Sequence, residues 1–393
     1  MSRRAKTTLV VALFAFAGLS ATVLAQDWLF PRNDNPWPYA VTFGPRSLAV
    51  VGDISCQPGS PVEAEKQKDV CDKTGKGDTT RWQAQTATAN EIEAMQPNLV
   101  ALLGDEQYQV GRLADFQGSF DHTYGAFKFL QRPTPGNHEF YDNHGQTGVK
   151  GFGYFDYYNG YKVNPDGTIP TMAFGPDNEP IPLQNGQAGP FGATGNGWYS
   201  YNLAGWHLIA LNAECAIQPG GCDPNGAWFK SETQWLAQDL ASDHAPCTMA
   251  YWHQPTFSGA DPSSSAPGGD PEGPTADAWW KLLYAHGADL VLNGHDHIYA
   301  RFAPMDPTGN ADPRHGIREF IVGTGGESLD VLNHSAPNLQ DGTDQYYGVM
   351  KLTLSRNGYA WDFESAPGAP NPGTGSFSDT GSARCHGGFF ERR

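Results

Sequence analysis

Leu290-Val291-Leu292-Asn293-Gly294-His295-Asp296-His297-Ile298-Tyr299 is the stretch from which the fold can be read: an apolar run stops at a glycine, and two histidines follow with one residue between them. Alternate side chains of extended backbone point the same way, so His295 and His297 can aim their rings at one spot. Two convergent imidazoles at the end of a strand make half of a metal site. Taken alone, the pattern is better read as a polar turn after a buried strand. The decision rests on how the other apolar runs end.

Four more end in metal-binding residue types. Leu48 to Val51 runs into Gly52-Asp53, and Leu99 to Leu103 runs into Gly104-Asp105-Glu106-Gln107-Tyr108. Arg132-Pro133-Thr134-Pro135 leads to Gly136-Asn137-His138-Glu139, and Thr248 to Trp252 leads to His253. Singly, each Gly-Asp or Asn-His pair is an ordinary turn or cap. The ordered set of five resembles the calcineurin-like metallophosphoesterases, and Tyr108, three residues after Asp105, points to their purple acid phosphatase branch.

That resemblance implies a four-layer α/β/β/α sandwich of two mixed sheets with metals at strand C-terminal ends. It also implies two ligand sets: Asp53, Asp105, Tyr108 and His297 for one metal, and Asp105, Asn137, His253 and His295 for the other. The donor chemistry agrees. A carboxylate has two oxygens with which to bridge, and imidazoles with an amide oxygen suit a borderline divalent ion. A phenolate among carboxylates suits a harder ion, so iron(III) beside zinc, manganese or iron(II) is the expected pair. Two such ions about 3.5–4 Å apart clamp a phosphate and lower the pKa of bound water, which yields a hydroxide nucleophile. His138 is the candidate to stabilise the transition state or protonate the leaving oxygen, with Glu139 as its orienting neighbour or simply part of a turn. The chain departs from the branch pattern at Ser55, at Gln254 and in Ile298-Tyr299-Ala300-Arg301, and none of these removes a ligand. His122, His144, His334 and Arg301 are read as surface or core residues ahead of site residues.

Length and composition bound the rest. With 393 residues, 39% hydrophobic and 12% aromatic, the chain has material for a substantial core. Met1 to Lys6 is basic, residues 9 to 19 are apolar, and Val23-Leu24-Ala25 precedes Gln26, which is the pattern of a cleaved secretory signal over residues 1–25. Arg3-Arg4 raises twin-arginine export, although its surroundings fit that signal poorly. The expected product is secreted or periplasmic, with no membrane anchor. Its formal charge is −17, or −20 once a leader carrying the cations Arg3, Arg4 and Lys6 is removed, which argues against nucleic acid or anionic membrane as a partner. Cys56, Cys71, Cys215, Cys222, Cys247 and Cys385 are an even count, so disulfides are expected, with Cys56 to Cys71 the favoured pair and the others open.

Along the chain, residues 26 to 46 form an extended lead-in, and residues 47–393 form one catalytic domain. Helices are expected at about 80–96 and 113–127, before the run to Asn137. Residues 141–200 hold 12 glycines and 6 prolines, so the insertion at about 141–197 is expected to be a lid or a mobile loop. A hairpin is expected around Ala204-Gly205, helices at 231–242 and 276–286, and strands at 249–252, 320–322, 349–354 and 359–364. The Pro/Gly/Ser loop at 258–274 is a second candidate wall of the site, and Cys385 is placed to pin back the tail. The function expected is a secreted phosphomonoesterase with a dinuclear site acting on a small phosphate ester. A phosphodiesterase or nucleotidase using the same site, and a non-catalytic metal-stabilised binding protein, are the competing readings. Oligomeric state is left open.

Overall fold

The computed structural model describes residues 44–58, 70–71, 79–141, 151–159, 197–215, 221–261 and 273–386. The expected signal peptide, nearly all of the lead-in, His144 and most of the 141–197 insertion lie outside them.

In the first half run β1 (Arg46–Val51), β2 (Gln57–Pro58), β3 (Val70–Cys71), α1 (Thr79–Met95), β4 (Leu99–Leu102), α2 (Leu113–Gly118), β5 (Gln131–Pro133) and α3 (Phe152–Asn159). There follow β6 (Tyr199–Leu203), β7 (Trp206–Ala210), α4 (Ala227–Ser242), β8 (Cys247–Tyr251), α5 (Gly273–His286) and β9 (Leu290–Asn293). The chain closes with β10 (Tyr299–Phe302), β11 (Arg318–Val322), β12 (Leu339–Thr343), β13 (Gly348–Ser355), β14 (Gly358–Ser365) and β15 (Ser378–Arg384).

These strands build two mixed sheets, ordered β15-β14-β13-β1-β4-β5 and β12-β10-β11-β9-β8-β7-β6. Strand alternation decides how they stack. In β1, Leu48 and Val50 join a central core with Leu208, Met249 and Leu292 of the other sheet, while Ala49 and Val51 face outward with Ile92, Phe116 and Phe120. The second sheet turns Ile209, Ala250 and Val291 the other way, against Leu236, Trp279 and Trp280 of α4 and α5. A sheet buried on both faces reads as a continuous apolar run, and the result is the expected α/β/β/α sandwich.

Three regions depart from the sequence expectation. The helix expected over 113–127 stops at Gly118 and continues as 3₁₀ turns over Phe120–His122 and Tyr124–Leu130. The expected insertion contains α3, whose Tyr154, Phe155, Tyr157 and Tyr158 are buried; Tyr157 stacks on Phe116 with centroids 4.9 Å apart. That part belongs to the core, and the remainder of the lid expectation falls outside the described residues. Strands β10, β12 and β15 were not expected.

The expected hairpin is present, with Ala204 and Gly205 both at positive φ, as a two-residue turn between β6 and β7 requires. Disulfides join Cys56 to Cys71, Cys215 to Cys222 and Cys247 to Cys385. The last ties the start of β8 to the residue after β15, so the tail is pinned to the second sheet.

Candidate metal centre

All five motifs sit just past the C-terminal ends of β1, β4, β5, β8 and β9, and both sheets contribute. The turns that carry them are strained. Asp53, Asp105 and His295 have φ of 60°, 49° and 69°, in a region that costs a non-glycine residue energy and persists at functional sites. Gly104, at φ 88°, leaves room that a Cβ would take at 2.5 Å from His253 Nδ1. A Cβ on Gly136 would collide with the Asp105 carboxylate. These two glycines let the motif loops close on each other.

Around Tyr108 three donors form a triangle. The Tyr108 hydroxyl donates to Asp53 Oδ1 at 3.0 Å and lies 3.0 Å from His297 Nε2, and His297 Nε2 lies 3.4 Å from Asp53 Oδ1. Beside it, His253 Nε2 lies 3.2 Å from Asp105 Oδ2 and 3.3 Å from His295 Nδ1. Ligands held about 2.0–2.2 Å from one ion stand roughly 2.8–3.5 Å from each other, so both groups have the edge lengths of a coordination shell. Asp53, Asp105 and His253 have donor atoms within 4.8 Å of one another, which joins the two groups. Asn137 stands in the motif after β5: its amide nitrogen donates to the Tyr141 hydroxyl at 2.7 Å, and its carbonyl oxygen is buried without a hydrogen-bond partner. An amide oxygen in that state suits a cation.

Backbone carbonyls fix the imidazoles. His253 Nδ1–H donates to Leu103 O at 2.7 Å and His297 Nδ1–H to Ser328 O at 2.8 Å, which leaves each Nε2 lone pair for the centre. The loop carrying Ser328 is held in turn by Arg81 of α1, which donates to Ser328 Oγ at 2.8 Å and pairs with Glu327 at 2.5 Å.

The electrostatics ask for positive charge. Burial, then the charges of Asp105 and Asp53, push the Tyr108 phenol well above its usual range. Burial would lower His297, but the Asp53 carboxylate, with Asp330 and Glu327 behind it, lifts it to about 10. Burial would likewise raise Asp105, yet His253 and His138 hold it well below the ordinary carboxylate value. Protons and imidazolium charge thus neutralise a buried cluster of acids, a role that metal cations would take over with release of protons. The residues present fit two ions, with Asp53, Tyr108 and His297 on one side, Asn137, His253 and His295 on the other, and Asp105 between.

His138 stands apart from the donors. Its backbone N–H donates to Asp105 Oδ1 at 2.9 Å, its Nδ1–H donates to Gln109 O at 2.8 Å, and its Nε2 lies 3.8 Å from Asp105 Oδ2. The Tyr108 ring packs on it at 4.2 Å. Glu139 does not orient it: that buried carboxylate accepts the backbone N–H groups of Asp105, Gln107 and Gly136, and so locks the two motif loops together. Asp296, between the two histidines, points away and accepts from Ser258 and from the backbone of Gly259 and Ala260. Of the other candidates, Arg301 pairs with Asp379, Gln254 donates to Glu214, and His122 and His334 are exposed.

Residues 27–299 match the family model described as calcineurin-like phosphoesterase. Purple acid phosphatase 15 of Arabidopsis thaliana is 27% identical over 262 residues, which are 61% of this chain and 42% of that protein. Probable purple acid phosphatase 20 of the same plant is 30% identical over 116 residues, or 28% of this chain and 24% of its own length. The chain thus spans less than half the length of these curated relatives. Among solved structures, a purple acid phosphatase isolated from yellow lupin (Lupinus luteus) seeds superposes with a TM-score of 0.54 at 16% identity, covering 87% of this chain and 55% of that one, and so shares the fold. By the family match, and by the sandwich that carries these motifs, the chain belongs to the calcineurin-like phosphoesterase family, with purple acid phosphatases as its curated relatives.

Proposed function

We propose that this chain is an exported dinuclear-metal hydrolase of phosphate monoesters, built as one catalytic domain over residues 47–393 and carrying iron(III) at the Tyr108 side with zinc, manganese or iron(II) at the other. The observation that carries the proposal is the pair of donor groups with coordination-shell edges, 3.0–3.4 Å around Tyr108 and 3.2–3.3 Å around His253, which meet where donor atoms of Asp53, Asp105 and His253 lie within 4.8 Å of one another. Two metal ions bound there would offset phosphate charge and lower the pKa of a coordinated water.

The chain's own residues do the rest. Asp105 spans both donor groups and fixes their separation. The Gln109 carbonyl keeps a proton on His138 Nδ1, so Nε2 is the nitrogen turned to the substrate side, next to Asp105. In the reaction a water that has given up one proton to solvent bonds through its oxygen to phosphorus, the phosphorus–oxygen ester bond breaks, and the departing alcohol oxygen takes the proton that His138 carries on Nε2. Three disulfides agree with export.

Tyr108→Phe tests the metal assignment together with hydrolysis. A phenolate on iron(III) colours the protein pink to violet through charge transfer, and the variant, which keeps the ring and loses the oxygen, is expected to bleach and lose iron. A colourless, iron-free, active wild type would move that site to zinc or manganese. A panel of monoesters and diesters decides the substrate class, and faster turnover of diesters would replace the monoesterase reading with a phosphodiesterase one.

A further inference from the structure

The segment from Gly325 to Asp330 grips two of the donors on the Tyr108 side. Glu327 N–H donates to Asp53 O at 3.0 Å, and the Ser328 carbonyl accepts His297 Nδ1–H at 2.8 Å. Asp330 takes the His297 backbone N–H on its carboxylate at 3.0 Å and donates its own N–H to His297 O at 3.1 Å. The path of this segment therefore sets where the His297 ring points. On the other side, His253 is held by Leu103 O and the Asp105 backbone by Glu139, both from elsewhere in the fold.

Helix α1 braces the segment at two points. Arg81 donates to Ser328 Oγ through Nη2 at 2.8 Å and Nε at 3.2 Å, and pairs with Glu327 Oε1 at 2.5 Å. Two turns on, Thr88 Oγ1 donates to Gly325 O at 2.6 Å. Residues seven apart share one face of a helix, so a single face of α1 holds both ends. Glu327 Oε1 also accepts the Ser328 N–H at 2.8 Å. The guanidinium thus fixes Ser328 twice, through its hydroxyl and, by way of Glu327, through its N–H. With side chains only 11% and 5% exposed, the Arg81–Glu327 pair is shielded from screening by salt. A planar fork that engages two partners at once is what arginine supplies and lysine does not.

We infer that Arg81 is a positioning residue for the ion on the Tyr108 side, acting through the Ser328 carbonyl to keep His297 Nε2 turned towards Tyr108 and Asp53. The inference rests on the dinuclear reading given above and goes beyond it in assigning a residue outside both donor groups that serves one ion and not the other. Partners that orient a ligating imidazole typically contribute about 10- to 100-fold in metal affinity.

Full-length protein loaded with iron(III) and zinc, then challenged with increasing chelator, tests this. The visible charge-transfer band of a Tyr108 phenolate on iron(III) reports one side, and elemental analysis of retained zinc reports the other. Arg81→Ala should lose the band at roughly ten- to hundredfold lower chelator concentration than wild type, with zinc retained as in wild type. Arg81→Lys should fall between the two. Because Arg81→Ala strands a buried carboxylate, the double variant Arg81→Met with Glu327→Gln keeps the test open should the single variant not fold, and it should show the same one-sided loss. Equal weakening of both ions, or a band as resistant to chelator as in wild type, overturns the inference and leaves the dinuclear reading in place. A wild type that binds fewer than two ions, or stays colourless with iron, strikes down the reading on which the inference rests.

Discussion

His138 shares with His253 and His297 an Nδ1–H that goes to a backbone carbonyl, and differs from them in that its Nε2 stands off at 3.8 Å from Asp105, where theirs lie 3.2 and 3.4 Å from a carboxylate oxygen of the centre. His138→Ala should therefore lower kcat by about 10²- to 10⁴-fold, the usual contribution of a positioned acid or base, with metal content unchanged. Steady-state rates beside elemental analysis check this, and loss of a metal from the variant would make His138 a ligand. At this scale the candidate donors were legible in the sequence because each is a chemically distinctive residue placed just after an apolar run. Their supports were not. Leu103, Ser328 and Gln109 act through main-chain carbonyls, which every residue has, so no residue type announces the role. Glu139 was visible as a neighbour of His138, yet which of its contacts matter is decided by loops that meet only in three dimensions.

Strand β15 shows what the reading by elements missed. Ser378-Asp379-Thr380-Gly381-Ser382-Ala383-Arg384 has no apolar alternation, and what holds it is pairing with β14, a disulfide at its end and one carboxylate. Asp379 accepts from Tyr299 at 2.7 Å and from Arg301 at 2.6 and 3.1 Å, so it links β15 of one sheet to β10 of the other. Burial works to raise its pKa, but the hydrogen bonds from Arg301 and Tyr299 outweigh it and hold the carboxyl below its ordinary value. A carboxylate lowered in this way adds stability that is full above its unfolded pKa and disappears as pH falls through the folded one. Asp379→Asn should thus be less stable than wild type at neutral pH, by on the order of 1 kcal/mol since solvent screens part of the pair. That gap should close as pH drops below the usual carboxylate range. Denaturant titrations across pH check it, and a gap constant down to acid pH would show that charge is not what Asp379 contributes. The central strands, by contrast, were legible because burial on both faces writes unbroken apolar runs into the sequence. The helix expected over 113–127 was misjudged because Gly118 and Gly125 divide it, and Gly125 is also where a Cβ would meet Asp121 at 2.6 Å.

On the scale of the whole molecule, a formal charge of −17 surrounds a centre that itself concentrates buried acids. Filling that centre with cations should stabilise the fold, by about 2.7 kcal/mol at a free metal concentration a hundredfold above Kd. Dialysis against chelator should accordingly lower Tm, and adding metal back should restore it in a concentration-dependent way. An unchanged Tm on metal removal would mean that the two sheets close over the site without help. The four-layer architecture was legible only through the resemblance carried by five strand-end motifs, since alternation of helix and strand permits several α/β folds. The claim on which the rest depends is that Asp105 joins two ion sites, and metal stoichiometry of wild type and Asp105→Ala, measured by elemental mass spectrometry after metal loading, tests it most directly. Two ions per wild-type chain, with both sites weakened in the variant, is the result predicted here. One ion or none in wild type, or two ions retained by Asp105→Ala, would contradict it.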